Sequence, residues 1–321
     1  MNNLTPASAP IARRVRAYFA PVDRAGGVAT VWDPAGIAGF NTAAPPYPWL
    51  DLGWCTNFVR KSGTAIGSMI AGAPGIAVGQ VRTQIEASLS LEFESWGKLQ
   101  LALTAGAQQM NVLTTQSGVQ ANGSGGAAVA AVPLLPGSTA TTLNVGAAAA
   151  SFSVGDLVVV DADYEGTTGF VGSGVSGGYV KSIAMIGNDV DYVRRVSLNV
   201  GRITEISNGV LTLGSALLAG APVAGMLVAK VVGFCDREGG SFFQEWSALF
   251  VMDGEQGDRV VFHYPRLQAF AGATEKSDLL AAGLGRYRLS GSFRALPVKD
   301  ANDGEMVVCF RSYLPGPMRA V

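Results

Sequence analysis

Val81-Arg82-Thr83-Gln84-Ile85-Glu86-Ala87-Ser88-Leu89-Ser90-Leu91-Glu92-Phe93-Glu94 is the stretch whose reading decides the fold. Val81, Ile85, Ala87, Leu89, Leu91 and Phe93 fall on one side, with Thr83 the one polar intruder. Arg82, Gln84, Glu86, Ser88, Ser90, Glu92 and Glu94 fall on the other. A period of two predicts a β-strand with a dry face and a wet face. It runs well past the ~5–6 residues usual for a strand. Long two-faced strands suit barrels and tubes that set a polar wall against an open lumen. Ile85, Leu89, Leu91 and Phe93 are therefore expected on the core face, and Glu86, Glu92 and Glu94 are the candidate lumen-facing residues.

Composition supports a structural role before an enzymatic one. The chain has 321 residues, 48% of them hydrophobic and only 15% charged. About a quarter charged is typical of soluble domains, so burial of surface between subunits would explain the deficit. A net charge of −1 gives no bulk attraction for a polyanion. The 42 glycines, with abundant Ala, Val, Ser and Thr, favour turns and strands over long helices. Cys55, Cys235 and Cys309 lie far apart without CxxC spacing, which predicts buried reduced thiols rather than a disulfide framework or zinc site. Met1–Pro10 lacks a basic start followed by an apolar core, so no secretory signal is expected there. No run reaches the ~20 apolar residues of a membrane-spanning helix; Ala147–Val160 is interrupted by Ser153, Gly155 and Asp156.

Four regions separate along the chain. Residues 1–48 are rich in Pro, Gly and Ala, with one expected strand at Arg14–Ala20, and read as an N-terminal arm or extended loop. Residues 49–109 hold the alternating strand and then a short amphipathic helix, with Ser95 as N-cap, Leu99, Ala102 and Leu103 on its buried stripe and Gly106 as its stop. Residues 110–232 open with a Gly/Ala/Ser/Thr/Gln connection, Thr114–Ala130, and continue with short strands. Among them Asn208-Gly209 stands between Ile206 and Val210, a strong hairpin signal because both residues tolerate positive φ. This region reads as an inserted small β-barrel. Residues 233–321 return to long strands: Phe242–Met252, Arg259–Leu267, Arg286–Ala295 and Glu305–Tyr313, with a short helix expected at Ser277–Ala282.

Catalytic chemistry needs convergent groups, and few are offered. His263 is the single histidine, and no G-x-S-x-G turn supplies a nucleophile for it. Gly172-Ser173-Gly174-Val175-Ser176-Gly177 matches G-x-G-x-x-G, but no helical pattern follows it, so a loop is expected rather than a dinucleotide site. Asp156, Asp161, Asp163 and Glu165 form an acidic cluster that fits the calcium-loop pattern only in part and reads as a solvated loop. No cofactor, no metal and no enzymatic activity are expected. For Glu86, Glu92 and Glu94 the choice lies between ordinary solvation and a lumen wall that keeps a passing polyanion from adhering. Arg286, Arg288 and Arg294 on a later strand are candidates to pair with them.

These residues resemble a known family. Trp49-Leu50-Asp51-Leu52-Gly53-Trp54 with Asn57-Phe58, the strand Val81–Glu94 with its following helix, Phe262-His263-Tyr264-Pro265-Arg266-Leu267, and Leu289–Pro297 are similar to segments of phage tail tube proteins, also called major tail proteins. The resemblance implies a mainly β fold, a tail-tube-like sandwich or barrel with a flanking short helix. It implies hexameric rings stacked into a tube, with tape-measure and tail-terminator or baseplate proteins as partners. DNA would pass through the lumen without specific binding, and the protein would be built in the host cytoplasm and carried in the virion tail. The inserted β domain would decorate the outside. A β-rich surface module is the competing expectation, with Trp32, Tyr47, Trp49 and Trp54 as a stacking platform for carbohydrate. A capsid decoration or baseplate component is the alternative within the structural class.

Overall fold

The computed structural model describes residues 14–22, 29–46, 48–95, 97–106, 108–114, 129–161, 199–217, 220–237, 245–254, 257–270, 274–280 and 284–316. Its strands in chain order are β1 (Val15–Pro21), β2 (Leu50–Ala71), β3 (Ile76–Phe93), β4 (Gln108–Leu113), β5 (Val132–Pro133), β6 (Thr142–Asn144), β7 (Leu157–Asp161), β8 (Val200–Ser207), β9 (Val210–Leu213), β10 (Leu227–Arg237), β11 (Glu245–Asp253), β12 (Arg259–Ala269), β13 (Thr274–Leu280), β14 (Leu284–Ala295), β15 (Val298–Lys299), β16 (Met306–Val307) and β17 (Phe310–Leu314). One α-helix, α1, spans Lys98–Ala105. The fold is mainly β, as the alternating sequence predicts, and its ladders are antiparallel.

The first sheet runs β13-β14-β3-β2-β1-β11-β12-β17, and β14 also pairs with β12. That extra pairing, Leu267 opposite Ala295 through Ala269 opposite Phe293, closes β14-β3-β2-β1-β11-β12 into a ring. β13 and β17 continue outward from the seam as appended strands. Closure removes the edges of the six ring strands, the feature of a sheet most prone to unwanted pairing. Inside the ring sit Phe19, Leu89, Leu91, Phe93, Trp246, Phe250, Tyr264, Leu289 and Phe293 in one apolar cluster. Phe19 and Phe250 meet edge to face at 6.0 Å, a geometry favoured by the ring quadrupole. Each such side chain stabilises the fold by ~1.5–3 kcal/mol through burial. The register also explains Gly291: a Cβ there would come within 2.7 Å of the Phe293 ring.

α1 lays Leu99 and Leu103 on this cluster. Gly106 ends it at φ 62, a left-handed turn suited to glycine. The expected N-cap is corrected: Gly97 holds that position without a side-chain cap bond, and the Ser95 hydroxyl bonds the Leu52 carbonyl at 3.5 Å instead.

The second unit is built from β4 to β10, so it begins at Gln108 and ends at Arg237, slightly wider than residues 110–232. Its order is β4-β10-β7-β8-β9-β6, with β5 on β10. The segment after β5 completes a circuit, because Leu135 N donates to Asn144 O at the end of β6 at 2.8 Å. Leu143, Val158, Val160, Ile203, Leu211 and Val228 fill its separate core. The Asn208-Gly209 turn joins β8 to β9 with φ of 49 and 81, the two positive values of the hairpin turn expected from the dipeptide. At the junction of the two units Lys98 donates to Asn111 Oδ1 and stands 4.7 Å from the Phe234 ring.

Two expectations fail here. Residues 1–48 are not simply a peripheral arm: β1 lies between β2 and β11 in the ring, and Ala17, Tyr18, Phe19 and Ala20 are fully buried. Trp32, Phe40 and Trp49 then cover the outer face of β1 and β11 with Tyr18, Leu249, Val251 and Val261. Proline and glycine density predicted loop, and the loop is there, but it seals a second apolar layer. Likewise Thr274–Leu280 is a strand on β14, not a helix; pairing along its whole length overrides its weak local preference. The G-x-G-x-x-G segment, Thr115–Ala128, Asp163, Glu165, Tyr47 and Trp96 lie outside the described residues.

Candidate assembly interface

β2 and β3 form one hairpin that outruns the ring. The turn at its end follows Gly72, whose φ is +89, a value L side chains rarely adopt. Within the ring Leu50, Leu52 and Cys55 of β2 and Ala87, Leu89, Leu91 and Phe93 of β3 are buried. Beyond Lys61 and before Ala87 nearly every residue is exposed. From Ser62 to Ala71 this arm extends roughly 30 Å at ~3.3 Å per residue.

At its base the arm keeps the alternation of its sequence. Ile85 stands on the same side of β3 as Leu89, Leu91 and Phe93, so the dry face of the ring continues onto the base of the arm. A bulge at Thr83 then turns Val81, opposite Gly67, to the other face, so the outer arm carries apolar residues on both sides. Gly67 opposes Val81 and Met69 opposes Gly79, and the Met69 sulfur lies 3.7 Å from where a Gly79 Cβ would be. Ile85, expected in the core, is corrected: it is 43% exposed, because among the described residues no strand reaches across the arm to cover it. Val81, Met69, Ile66, Ile70, Ile76 and Val78 are also exposed. The segment from Ser62 through Val81 contains no charged residue. Contiguous exposed apolar surface of this kind marks sites of association.

The opposite face carries the candidate glutamates. Glu86 accepts from Gln84 Nε2 at 2.6 Å on the exposed arm. Glu92 accepts from Arg288 at 2.9 Å, the cross-strand pair expected from the sequence. Glu94 is 3.6 Å from Arg14. Ser88 of this face has Lys61 and Arg294 as register partners. The guanidinium of Arg294 lies 5.4 Å from the Phe270 ring rather than on a glutamate. The face is thus close to balanced in charge, not the acidic wall that the glutamates alone suggest. The Arg14–Glu94 pair, open to water at its arginine, contributes little to stability, ~0–1 kcal/mol, whereas the Arg288–Glu92 pair is part-buried. At the end of β3 away from the arm, a cleft of about 260 Å³ is lined by Thr56, Asn57, Phe93, Glu94 and Arg288. Asn57 sits there at φ 51, within a register shift between Thr56 and Val59.

The remaining sequence candidates resolve as structure. His263 is 2% exposed, stacked on Phe310 at 5.8 Å and edge-on to Trp49 at 6.1 Å. Burial depresses it to about 4, against a raising bond to the Thr30 carbonyl, so it is neutral near pH 7. Trp32 and Trp49 are buried in the outer apolar layer. The stacking platform is therefore corrected: the guanidinium of Arg16 covers Trp54 at 5.3 Å, and the two buried tryptophans present no open ring face. Asp156 is bound to Lys230 at 2.7 Å, and among the described residues no cluster of three metal-ligating side chains forms. Burial pushes the Cys55 thiol up to about 12. No helix among the described residues is long and apolar enough to cross a membrane. No protein-family model matches the chain, and no curated protein matches it.

Proposed function

We propose that this chain is a structural subunit of a tube of the phage tail kind, assembling into hexameric rings that stack head to tail around a lumen through which DNA passes. The observation that supports this most is the arm: a hairpin, uncharged from Ser62 to Val81, that starts from the core face at Ile85 and leaves Ile66, Met69, Ile70, Ile76, Val78 and Val81 exposed. A second copy is the natural cover, since ~800 Å² per partner suffices for a specific interface and an arm of this length can supply it. A contact between an arm and a different patch on the neighbour is heterologous, so it propagates into rings or filaments instead of closing as a pair. The nearly balanced polar face suits a conduit, because a strongly basic wall would bind phosphates by counterion release and stall the cargo. In this reading the chain has no catalytic role and needs no cofactor. Tape-measure and terminator or baseplate proteins would meet the ends of the tube, in the virion tail after assembly in the host cytoplasm. The second barrel would stand on the outside. Negative-stain electron microscopy of the concentrated protein is the test: six-fold rings or tubes with a central channel are expected. Uniform monomers that bind a glycan panel would favour a surface module instead.

A further inference from the structure

Residues 29–46, 48 and 49 form a strap over the outer face of β1, β11 and β12, tied to it by hydrogen bonds at Thr30 and Thr42. Thr30 N donates to the Ser247 hydroxyl at 2.9 Å, and that buried hydroxyl donates to Pro265 O at 2.7 Å. The Tyr18 hydroxyl donates to Thr42 O at 2.8 Å. His263 Nε2 lies 3.3 Å from Thr30 O. Of these groups, His263 is the one whose ordinary titration range lies between pH 5 and 8.

Its surroundings offer no counter-charge. Leu249 of β11 and Phe310 of β17 are its register partners, and Trp49 of the strap meets its ring. The ionisable side chains on the packed elements are engaged elsewhere. Asp253 pairs with Arg259, Glu245 with Arg266, and Asp33 accepts from Ala35 N in its own turn. Arg311 of β17 is exposed and shares no bond with the imidazole. Among the described residues no carboxylate pairs with His263. A charged imidazole here has one acceptor and an apolar wall, whereas lifting the strap gives it water.

We propose that His263 makes the strap acid-releasable: protonation of its ring detaches residues 29–46, 48 and 49 from the barrel before the barrel itself unfolds. Release uncovers Tyr18, Leu249, Val251 and Val261 as a new apolar face. The direction follows from linkage. The closed form takes up a proton only near pH 4, while a solvated histidine does so near 6.5. The open population therefore rises as pH falls from about 6.5 towards 4 and then levels off. Between pH 7.5 and 4.5 the increase is roughly 70-fold.

Hydrogen exchange of the full chain tests this, as protection factors corrected for the pH dependence of intrinsic exchange. Strap amides are expected to lose roughly 70-fold protection between pH 7.5 and 4.5, while β11 and β12 amides keep theirs. His263→Phe and His263→Gln are expected to abolish the pH dependence; the glutamine retains a donor for Thr30, so one variant survives if the other misfolds. Three results would each overturn the proposal: a strap indifferent to pH, an equal pH effect in the folded variants, or simultaneous loss of protection in strap and barrel.

Discussion

Two substitutions on one strand separate folding from assembly. Leu91 and Ile85 are on the same face of β3, but Leu91 is 1% exposed inside the ring and Ile85 is 43% exposed on the arm. Truncating Leu91 to Ala removes a packed side chain and leaves a cavity, at a cost of ~2–5 kcal/mol. That is a large share of the ~5–15 kcal/mol by which a domain is stable. The same strand position argument gives a small effect at Ile85, where Ile85→Ser exchanges one solvent-facing group for another and should cost within about 0.5 kcal/mol in the monomer. In the assembled state Ile85 matters as well. Ile85 would there be covered, and loss of its burial would cost ~1.5–3 kcal/mol at every subunit contact. Urea unfolding of dilute monomer gives the first quantity and the critical concentration for assembly the second. Leu91→Ala should lower the midpoint strongly; Ile85→Ser should leave it in place and raise the critical concentration about tenfold or more. The reasoning is refuted if Ile85→Ser unfolds the monomer as readily as Leu91→Ala does, or if it assembles at the wild-type concentration.

Further expectations concern the fold. Leu91→Asp or Phe93→Asp should prevent folding, as seen by loss of near-ultraviolet circular dichroism, because each buries an unpaired charge. Gly291→Ala should destabilise by ~1–3 kcal/mol in denaturant titration, since its Cβ would meet the Phe293 ring at 2.7 Å. Gly209→Ala should destabilise the second barrel selectively, visible as an earlier calorimetric transition, because φ is +81 and the Cβ would lie 2.9 Å from Gly146 backbone. Glu245→Ala removes the acceptor of Arg266 and Gln268; the guanidinium left behind is 30% exposed and rehydrates, so a loss of ~1–3 kcal/mol is expected in denaturant titration. Cys55 should resist thiol reagents in the native protein and react after denaturation, as burial of the thiol requires.

Much of the architecture is legible in the chain wherever period two survives. Val81–Glu94 shows its dry face directly, and Leu89, Leu91 and Phe93 lie in the core while the arm that carries Ile85 does not. Asn208-Gly209 and Gly106 mark their turns through backbone chemistry alone. β2 is the main element that escapes notice, although it is the longest strand. A bulge between Thr56 and Val59 breaks its alternation, and its outer half, from Ser62 on, is small or apolar on both faces, so its sequence has no steady period. The exposed apolar residues of the arm tip, Ile66, Met69, Ile70, Ile76 and Val78, follow no single period that would mark them as one face. The signal the sequence does carry is the uncharged run from Ser62 to Val81. Nothing local reveals that β1 is central, because its partners β2 and β11 are set by long-range pairing.

Sedimentation velocity on the intact chain and on an arm-shortened chain tests the central claim most directly. Gly63 and Glu86 are register partners, so replacing Thr64 through Ile85 with Asn-Gly should close the hairpin at the ring. The intact chain is expected to form rings or larger species as concentration rises, and the shortened chain to remain a folded monomer throughout. An intact chain that stays monomeric at every concentration, or a shortened chain that assembles equally well, would contradict the assignment of the arm as the surface on which copies join.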